Sequence, residues 1–308
     1  MLVTAMPSLP PLFARALFSR KGKSVGKSCT LPELGVRVEG VKIDAAHLQD
    51  YRALVMDPGG EAGPLPICYP HLLNFPMQLS LLVAPEFPLP LLGLVHLRNR
   101  IRVLEAIDPG EVVDIECWLG AQRESGRGLE FDLHTRLSRQ GTTLWQSCSV
   151  NLYRNPAMAV ARARSAPDPL APLPLRERWS LPVNMGWRYA RSAGDYNPIH
   201  LHRLCARLFG FPRAIMHGMW SKARCLSTLQ AQMAELPVAL EVDCDFKTPL
   251  YLPGEALMSW QQEAAGEVRF LLQDSAAVKP HLTAVVRPIS VQESLVPPPH
   301  PHSAEGLS

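Results

Sequence analysis

Apolar and polar residues alternate with a period of two from Leu94 to Tyr153, and no other feature constrains the fold of this chain as strongly. Such alternation is typical of antiparallel strands with one buried face. The predicted buried face of one strand consists of Val113, Ile115, Cys117 and Leu119, and that of the next of Leu129, Phe131, Leu133 and Leu137. Glycine-containing segments separate these runs and predict turns. The pattern therefore indicates a meander of long strands.

Composition excludes several other classes of protein. The 30 prolines disfavour a bundle of long helices. The 31 basic and 28 acidic residues are scattered along the chain, so we expect no nucleic-acid partner. Seven cysteines without a CxxC pair indicate reduced thiols and a cytoplasmic protein. Prolines and Glu86 interrupt the longest apolar stretch, Leu79 to Val95, so we expect no membrane span.

The chain also contains signs of an internal duplication. The tripeptide Pro-Gly-Glu occurs at Pro109–Glu111 and again at Pro253–Glu255, each time before an alternating run. Each half places helical or apolar sequence before this turn. We therefore predict two copies of one α+β unit in which a sheet wraps a central helix. The first helix, Asn74 to Val83, is expected to be reduced by flanking prolines, whereas the second, Met216 to Met233, contains none.

These patterns divide the chain into five predicted segments. A leader precedes the first unit, a Pro-rich linker joins the units, and a Pro-rich tail that we expect to be disordered follows the second. The predicted segments are the leader 1–30, the first unit 31–155, the linker 156–175, the second unit 176–292 and the tail 293–308.

One loop of the second unit carries side chains suited to acid–base chemistry. Asp195 and His200 are separated by an Asn-Pro turn, and Gly194 and Pro198 keep the segment out of a regular helix. A carboxylate and an imidazole in such a loop can meet at one water molecule. Asp-x-Asn-Pro is also a common turn sequence, so a purely structural role remains an alternative.

A second short segment lies at the start of the best predicted helix. In His217-Gly218-Met219, the Gly218 N–H lies at a helix N-terminus and is suited to an oxyanion, although an ordinary helix cap is an alternative. His200 and His202 could suggest a metal, but no third ligand lies near them in the sequence. We therefore expect no metal.

Together these segments resemble a known family. The strings Gly194–His200, Leu208–Ile215 and His217–Met219 are similar to the signature of the MaoC-like dehydratases, the (R)-specific enoyl-thioester hydratases. Two weaker matches, Leu65–Pro70 and Gly93–Asn99, resemble the degenerate half of the double-hotdog members. The resemblance implies a double hotdog, in which two antiparallel sheets each wrap a central helix and join into a pseudo-dimer with a catalytic second half.

The resemblance also implies roles for individual residues. Asp195 and His200 would form the catalytic dyad, and the Gly218 N–H would bind the thioester oxygen. The remaining motif residues would bind substrate or support the loop: Tyr196, Asn197, His217 and Met219. The chain departs from the family pattern at Ala193, where a serine is common, and Leu226-Ser227 leaves the register of a helix serine open.

The expected function is hydration of trans-2-enoyl thioesters and the reverse dehydration of (3R)-hydroxyacyl thioesters, a hydro-lyase activity in fatty acid metabolism. The expected partner is acyl-CoA or an acyl carrier protein as substrate, without a cofactor, and the chain would be a monomer or homodimer. The alternatives are a hotdog acyl thioesterase, since one fold can support both reactions, and a non-catalytic acyl-thioester binding subunit.

Overall fold

The computed structural model describes residues 2–3, 5–17, 21, 29–91, 93–158, 173–233 and 236–289. The predicted linker lies largely outside these ranges, as does the tail. Within them, eleven strands form one continuous sheet, in the order β1-β2-β4-β5-β6-β3-β8-β11-β10-β9-β7. The strands are β1 Leu2–Val3, β2 Gly35–Lys42, β3 Leu94–Val103, β4 Val112–Ser125, β5 Gly128–Arg139, β6 Thr142–Arg154, β7 Leu175–Leu181, β8 Leu240–Phe246, β9 Gly254–Gln262, β10 Val268–Asp274 and β11 Pro280–Pro288.

The two halves of the sheet have the same topology. Strands β2-β4-β5-β6-β3 of the first half correspond in order to β7-β9-β10-β11-β8 of the second. The two Pro-Gly-Glu turns lead into the corresponding strands β4 and β9. Strands β3 and β8 pair antiparallel at the centre, where Ile101 lies opposite Val242. The internal duplication and the double hotdog architecture are thus confirmed.

The strand faces that the period-two pattern predicts to be buried are buried in the structure. Residues predicted to share the inner faces of β4 and β5 are 5% exposed or less. Gly141 lies at the turn between β5 and β6 with φ 83°, a conformation that favours glycine. Burial of this apolar face holds the register, because a shift by one residue would expose it.

Six α-helices accompany the sheet in the part of the chain that the structure describes. They are α1 Leu9–Leu17, α2 Ala45–Val55, α3 Tyr69–Val83, α4 Met185–Ala193, α5 Arg203–Leu208 and α6 Gly218–Gln232. The central helices of the two halves are α3 and α6. None of the helices in the described ranges has the length and hydropathy needed to cross a membrane.

The prediction of a reduced first central helix is wrong. Helix α3 has 15 residues, as many as α6. Its first proline, Pro70, lies in the first turn, where the missing N–H has no intrahelical acceptor to lose. The second, Pro76, lies inside a helix whose apolar residues are buried along most of its length, and this packing outweighs the local cost of proline.

Part of the predicted leader is packed against the first half. Leu12 and Ala16 of α1 are buried with Leu79 and Val83 of α3. Strand β1 pairs parallel with β2. Helix α1 therefore belongs to the packed structure, and its apolar face explains the leucines that the sequence places there.

Candidate active site

The loop after α4 is shaped by its own side chains. Helix α4 ends at Gly194, whose φ of 73° is left-handed and whose N–H donates to Ala190 O. The Asn197 N–H then donates to Asp195 Oδ1 at 3.1 Å. The Ile199 N–H donates to Asn197 Oδ1 at 3.4 Å, which caps a short 3-10 turn at Pro198–His200. These bonds between neighbours orient the Asp195 carboxylate and place Asn197 as a loop support.

The start of α6 lies beside this loop. The Ile215 N–H donates to Ile199 O at 3.1 Å, which ties the segment before α6 to the 3-10 turn. Gly218 is the first residue of α6, so its N–H has no acceptor within the helix. A Cβ atom at this position would lie 2.9 Å from the ring of Phe246, so only glycine fits without a shift of that ring.

Asp195 and His200 lie side by side, and His217 lies with them. One side-chain nitrogen or oxygen from each of the three residues falls within 4.8 Å of the others. The His200 Nδ1 contacts Ile215 O at 2.8 Å. Because a carbonyl oxygen only accepts, Nδ1 must carry the proton, and the neutral ring then has its lone pair on Nε2.

The His217 side chain contacts the loop through one ring nitrogen and through the face of its ring. Its Nε2 donates to the backbone oxygen of Asp195 at 3.0 Å, and its ring stacks on His200 with centroids 3.7 Å apart. The His217 Nδ1 is buried and has no hydrogen-bond partner among the described residues. The side chain therefore braces both members of the pair.

Burial changes the protonation of all three groups. It raises the pKa of Asp195, although His200 and the Asn197 N–H oppose this shift. It lowers the pKa of His200 against the effect of the Asp195 charge, and it holds the pKa of His217 well below the usual range. Both imidazoles are consequently neutral at pH 7, since each loses its proton below the ordinary histidine value.

The remaining predicted residues lie at the edges of the site. Met219 lines the cavity next to Gly218, whereas Tyr196 is exposed and packs edge-to-face against Phe13 of α1. The sequence left the register of a helix serine open; in the structure, Ser221 lines the cavity and donates to His217 O at 3.3 Å. Ser227 is buried and bonds to Ala223 O instead. Ser221 follows His217 by one helical turn, and this spacing in the sequence could have identified it.

A cavity of about 600 Å³ connects these groups to the first half of the molecule. Asp195, His200 and Gly218 lie along it, and apolar side chains of α3, among them Leu72 and Leu79, form part of its wall. The cavity is large enough for an extended apolar group beside the polar residues.

Two sets of described side chains are close enough to share a metal ion. In the set formed by Asp195, His200 and His217, two ring nitrogens are already held by carbonyl oxygens. In the other set, Asp132, His134 and Cys148, the Asp132 carboxylate binds Arg123. Burial raises the pKa of Cys148 to about 12, which disfavours the thiolate that a metal requires. The exposed His202 caps α5 and belongs to neither set.

Comparisons with known proteins show the family to which this chain belongs. A family model described as "MaoC like domain" matches residues 165–280. The 3-hydroxyacyl-thioester dehydratase X of Mycobacterium tuberculosis is 32% identical over 265 residues, which cover 85% of this chain and 92% of that protein.

Solved structures of MaoC-like dehydratases also match this chain. The crystal structure of HtdX of M. tuberculosis matches with a TM-score of 0.71 and 31% identity, over 83% of this chain and 100% of that one. A MaoC-like dehydratase from Phytophthora capsici matches with a TM-score of 0.68 over 86% of this chain and 97% of that one, and at 17% identity it shows the fold alone. By its sequence identity to the mycobacterial dehydratase over most of both chains, this protein belongs to the MaoC-like dehydratases, a family of hydro-lyases.

Proposed function

We propose that this protein interconverts (3R)-hydroxyacyl thioesters and trans-2-enoyl thioesters, with Asp195 and His200 as the catalytic dyad. The observation that carries the proposal is that a carboxylate, a neutral imidazole and the N–H of Gly218 lie along one largely apolar cavity. The name of the mycobacterial relative, a 3-hydroxyacyl-thioester dehydratase, supports the same substrate class.

The Gly218 N–H would stabilise the charge that develops in the reaction. Attack of water at C3 of an enoyl thioester moves electrons onto the thioester oxygen and forms an enolate. An N–H at the first position of α6 is unpaired within the helix and lies at its positive end. Because this donor is fixed before the reaction, stabilising the enolate costs no reorganisation.

The dyad would move the two protons. In hydration, the His200 Nε2 lone pair accepts a proton as the water oxygen bonds to C3, and protonated Asp195 gives a proton to C2. The raised pKa of Asp195 suits a carboxyl group that must carry a proton. A proton then passes from His200 to Asp195, which restores both groups. Dehydration follows the same steps in reverse.

The direct test is hydration of crotonyl-CoA, followed by loss of enoyl absorbance and chiral analysis of the product. We expect the (3R)-hydroxy product, and we expect Asp195→Asn and His200→Gln to lower kcat by roughly 100- to 10,000-fold. His202→Asn is the matched control, because His202 is exposed and asparagine preserves its capping of α5. Its kcat should match that of the wild type.

Two results would contradict the proposal. Release of free thiol without 3-hydroxyacyl product, measured with a thiol-reactive dye, would identify a thioesterase. Absence of turnover in the wild type, or dyad variants with unchanged turnover, would favour a non-catalytic binding role.

A further inference from the structure

Exposed arginines lie on the helices that precede and follow the candidate active-site loop. From Pro182 to Gly218 the sole acidic residue is Asp195, whereas arginines recur throughout the segment. Four of them are exposed on α4 and α5 and form no ion pair within the described part of the chain. We call these arginines, with three exposed apolar neighbours, the basic patch: Trp187, Arg188, Arg191, Arg203, Leu204, Arg207 and Leu208.

The two helices of the basic patch are held together by the active-site turn. A Cβ atom on Gly186 of α4 would lie 2.0 Å from His200 O, so α4 packs directly on the 3-10 turn. Helix α5 follows that turn after two residues. Trp187 also contacts Tyr196 of the loop, with ring centroids 6.4 Å apart. Both helices that carry the basic patch therefore contact the turn that contains His200.

The basic patch adjoins the wall of the cavity. Phe209 and Phe211, which follow α5, line the cavity, while Arg207 and Leu208 just before them are exposed. A molecule bound on this surface is therefore placed beside the cavity that contains Asp195 and His200.

The apolar members of the patch indicate a protein rather than a small phosphorylated carrier. Leu204 is 57% and Leu208 is 85% exposed, and they lie four residues apart on one face of α5. A ligand that offered only phosphates would bind the arginines and leave these leucines exposed to solvent. Arginine and aromatic residues without lysine are the composition favoured at protein interfaces.

We propose that the basic patch docks an acidic carrier protein that delivers the acyl group on its phosphopantetheine arm. This inference rests on the proposed function, because it names the carrier of the same thioester substrate. The negative charge of the carrier would complement the arginines and speed association, and the leucines would pack against its apolar surface.

The test compares one crotonyl group on two carriers, CoA and an acidic acyl carrier protein. Arg203→Glu/Arg207→Glu should lower kcat/KM for the carrier-protein substrate at least about tenfold, because like charges then face each other. It should change kcat/KM for crotonyl-CoA less than about twofold. The matched control is Lys42→Glu/Arg127→Glu, which makes the same change in net charge at exposed residues far from α5 in the sequence. It should leave both substrates unchanged.

A second variant tests the apolar part of the surface. Leu204→Gln/Leu208→Gln keeps every charge and should weaken binding of a saturated acyl carrier protein, measured by calorimetry as a rise in Kd. Rising salt should lower kcat/KM for the carrier-protein substrate more steeply in the wild type than in Arg203→Glu/Arg207→Glu.

The possible outcomes distinguish failure of the proposed docking surface from failure of the proposed function. Loss of activity on both carriers in equal measure would show that the arginines bind the phosphates of CoA, and would overturn the docking surface. Binding of the wild type to anionic lipid vesicles, lost on charge reversal without an effect on the carrier-protein substrate, would also overturn it in favour of a membrane surface. Failure of the wild type on both substrates, with intact binding of the saturated carrier protein, would reject the proposed function alone.

Discussion

His200 and His217 stack against each other, yet their hydrogen bonds assign them different tasks. The His200 ring is oriented by Ile215 O, which leaves Nε2 as its basic atom. The His217 ring holds the backbone of Asp195. Burial lowers the pKa of both rings, and repulsion from His200 lowers the pKa of His217 further. One imidazole is thus available as a base while the other positions the carboxylate.

The pH dependence of the rate follows from the environment of His200. Its pKa lies below the ordinary value of 6.5, because burial disfavours the charged ring more than Asp195 favours it. Only the neutral ring can accept a proton, so activity should be lost as the pH falls through this lowered pKa. A plot of kcat/KM against pH should have its acidic midpoint below 6.5. A midpoint at or above that value would contradict the buried neutral base.

Gly218→Ala tests the proposed role of the Gly218 N–H as the oxyanion donor. The added methyl group would lie 2.9 Å from the Phe246 ring, so either the ring or the start of α6 must move. We expect kcat to fall roughly 100- to 1,000-fold, as for loss of one oxyanion donor. Steady-state kinetics on crotonyl-CoA give this value. The control is Gly210→Ala: this residue has a positive φ but open space around it, so its effect should be on stability and not on kcat.

At the scale of elements, α1 connects the first central helix to the active-site loop. Its buried face packs on α3. On another side, Leu9 contacts Gly194, and Phe13 meets Tyr196 edge-to-face with centroids 6.1 Å apart. Phe13 also lines the cavity. The helix is therefore placed to contact both the acyl group and the loop that carries Asp195.

Phe13→Ala should accordingly affect long substrates more than short ones. Loss of the ring removes apolar wall from the cavity, and the penalty grows only when the acyl chain reaches it. We expect KM to rise several-fold for a long enoyl-CoA and to change little for crotonyl-CoA. Leu17→Ala is the control, because Leu17 is exposed on the same helix. Equal changes for both chain lengths would show that α1 acts on the loop alone.

At the scale of the whole molecule, a buried lysine joins the two halves. Lys222 of α6 is fully buried, and its Nζ donates to Asn99 O and Oδ1 on β3, and to Val242 O on β8 at 3.4 Å. These two strands form the junction of the sheet. The three donors of the ammonium group are thereby used across the junction.

Lys222→Met should destabilise the molecule without altering the groups of the dyad. The apolar side chain fills similar space, but it removes the buried donor that contacts the Asn99 oxygens on β3 and Val242 O on β8. We expect a loss of about 2–4 kcal/mol in the free energy of unfolding, measured by chemical denaturation. Lys279→Met, at an exposed lysine, is the control and should cost less than about 0.5 kcal/mol. An unchanged free energy would show that the junction does not depend on this contact.

Much of the architecture could be predicted from the sequence because its signals are local. The alternation from Leu94 to Tyr153 predicted β3 to β6, and the proline-free run at Met216 predicted α6 within two residues. The length of helix α3 was underestimated, because the sequence shows the free-energy cost of its prolines but not the burial that offsets this cost. Helix α2 was not predicted at all, although Leu48, Tyr51 and Val55 are buried at the i, i+3, i+7 spacing of one helix face.

The sequence by itself determined the strand pattern, the duplication and the order Asp195, Asn197, His200, Gly218, because these depend on periodicity and on neighbours along the chain. Tertiary structure alone decided that His200 bonds to Ile215 O, that Ser221 reaches the cavity, and that α4 packs against the turn that carries His200. Such contacts join residues that are distant in sequence, and they exist only once the packing of the core has brought their elements together.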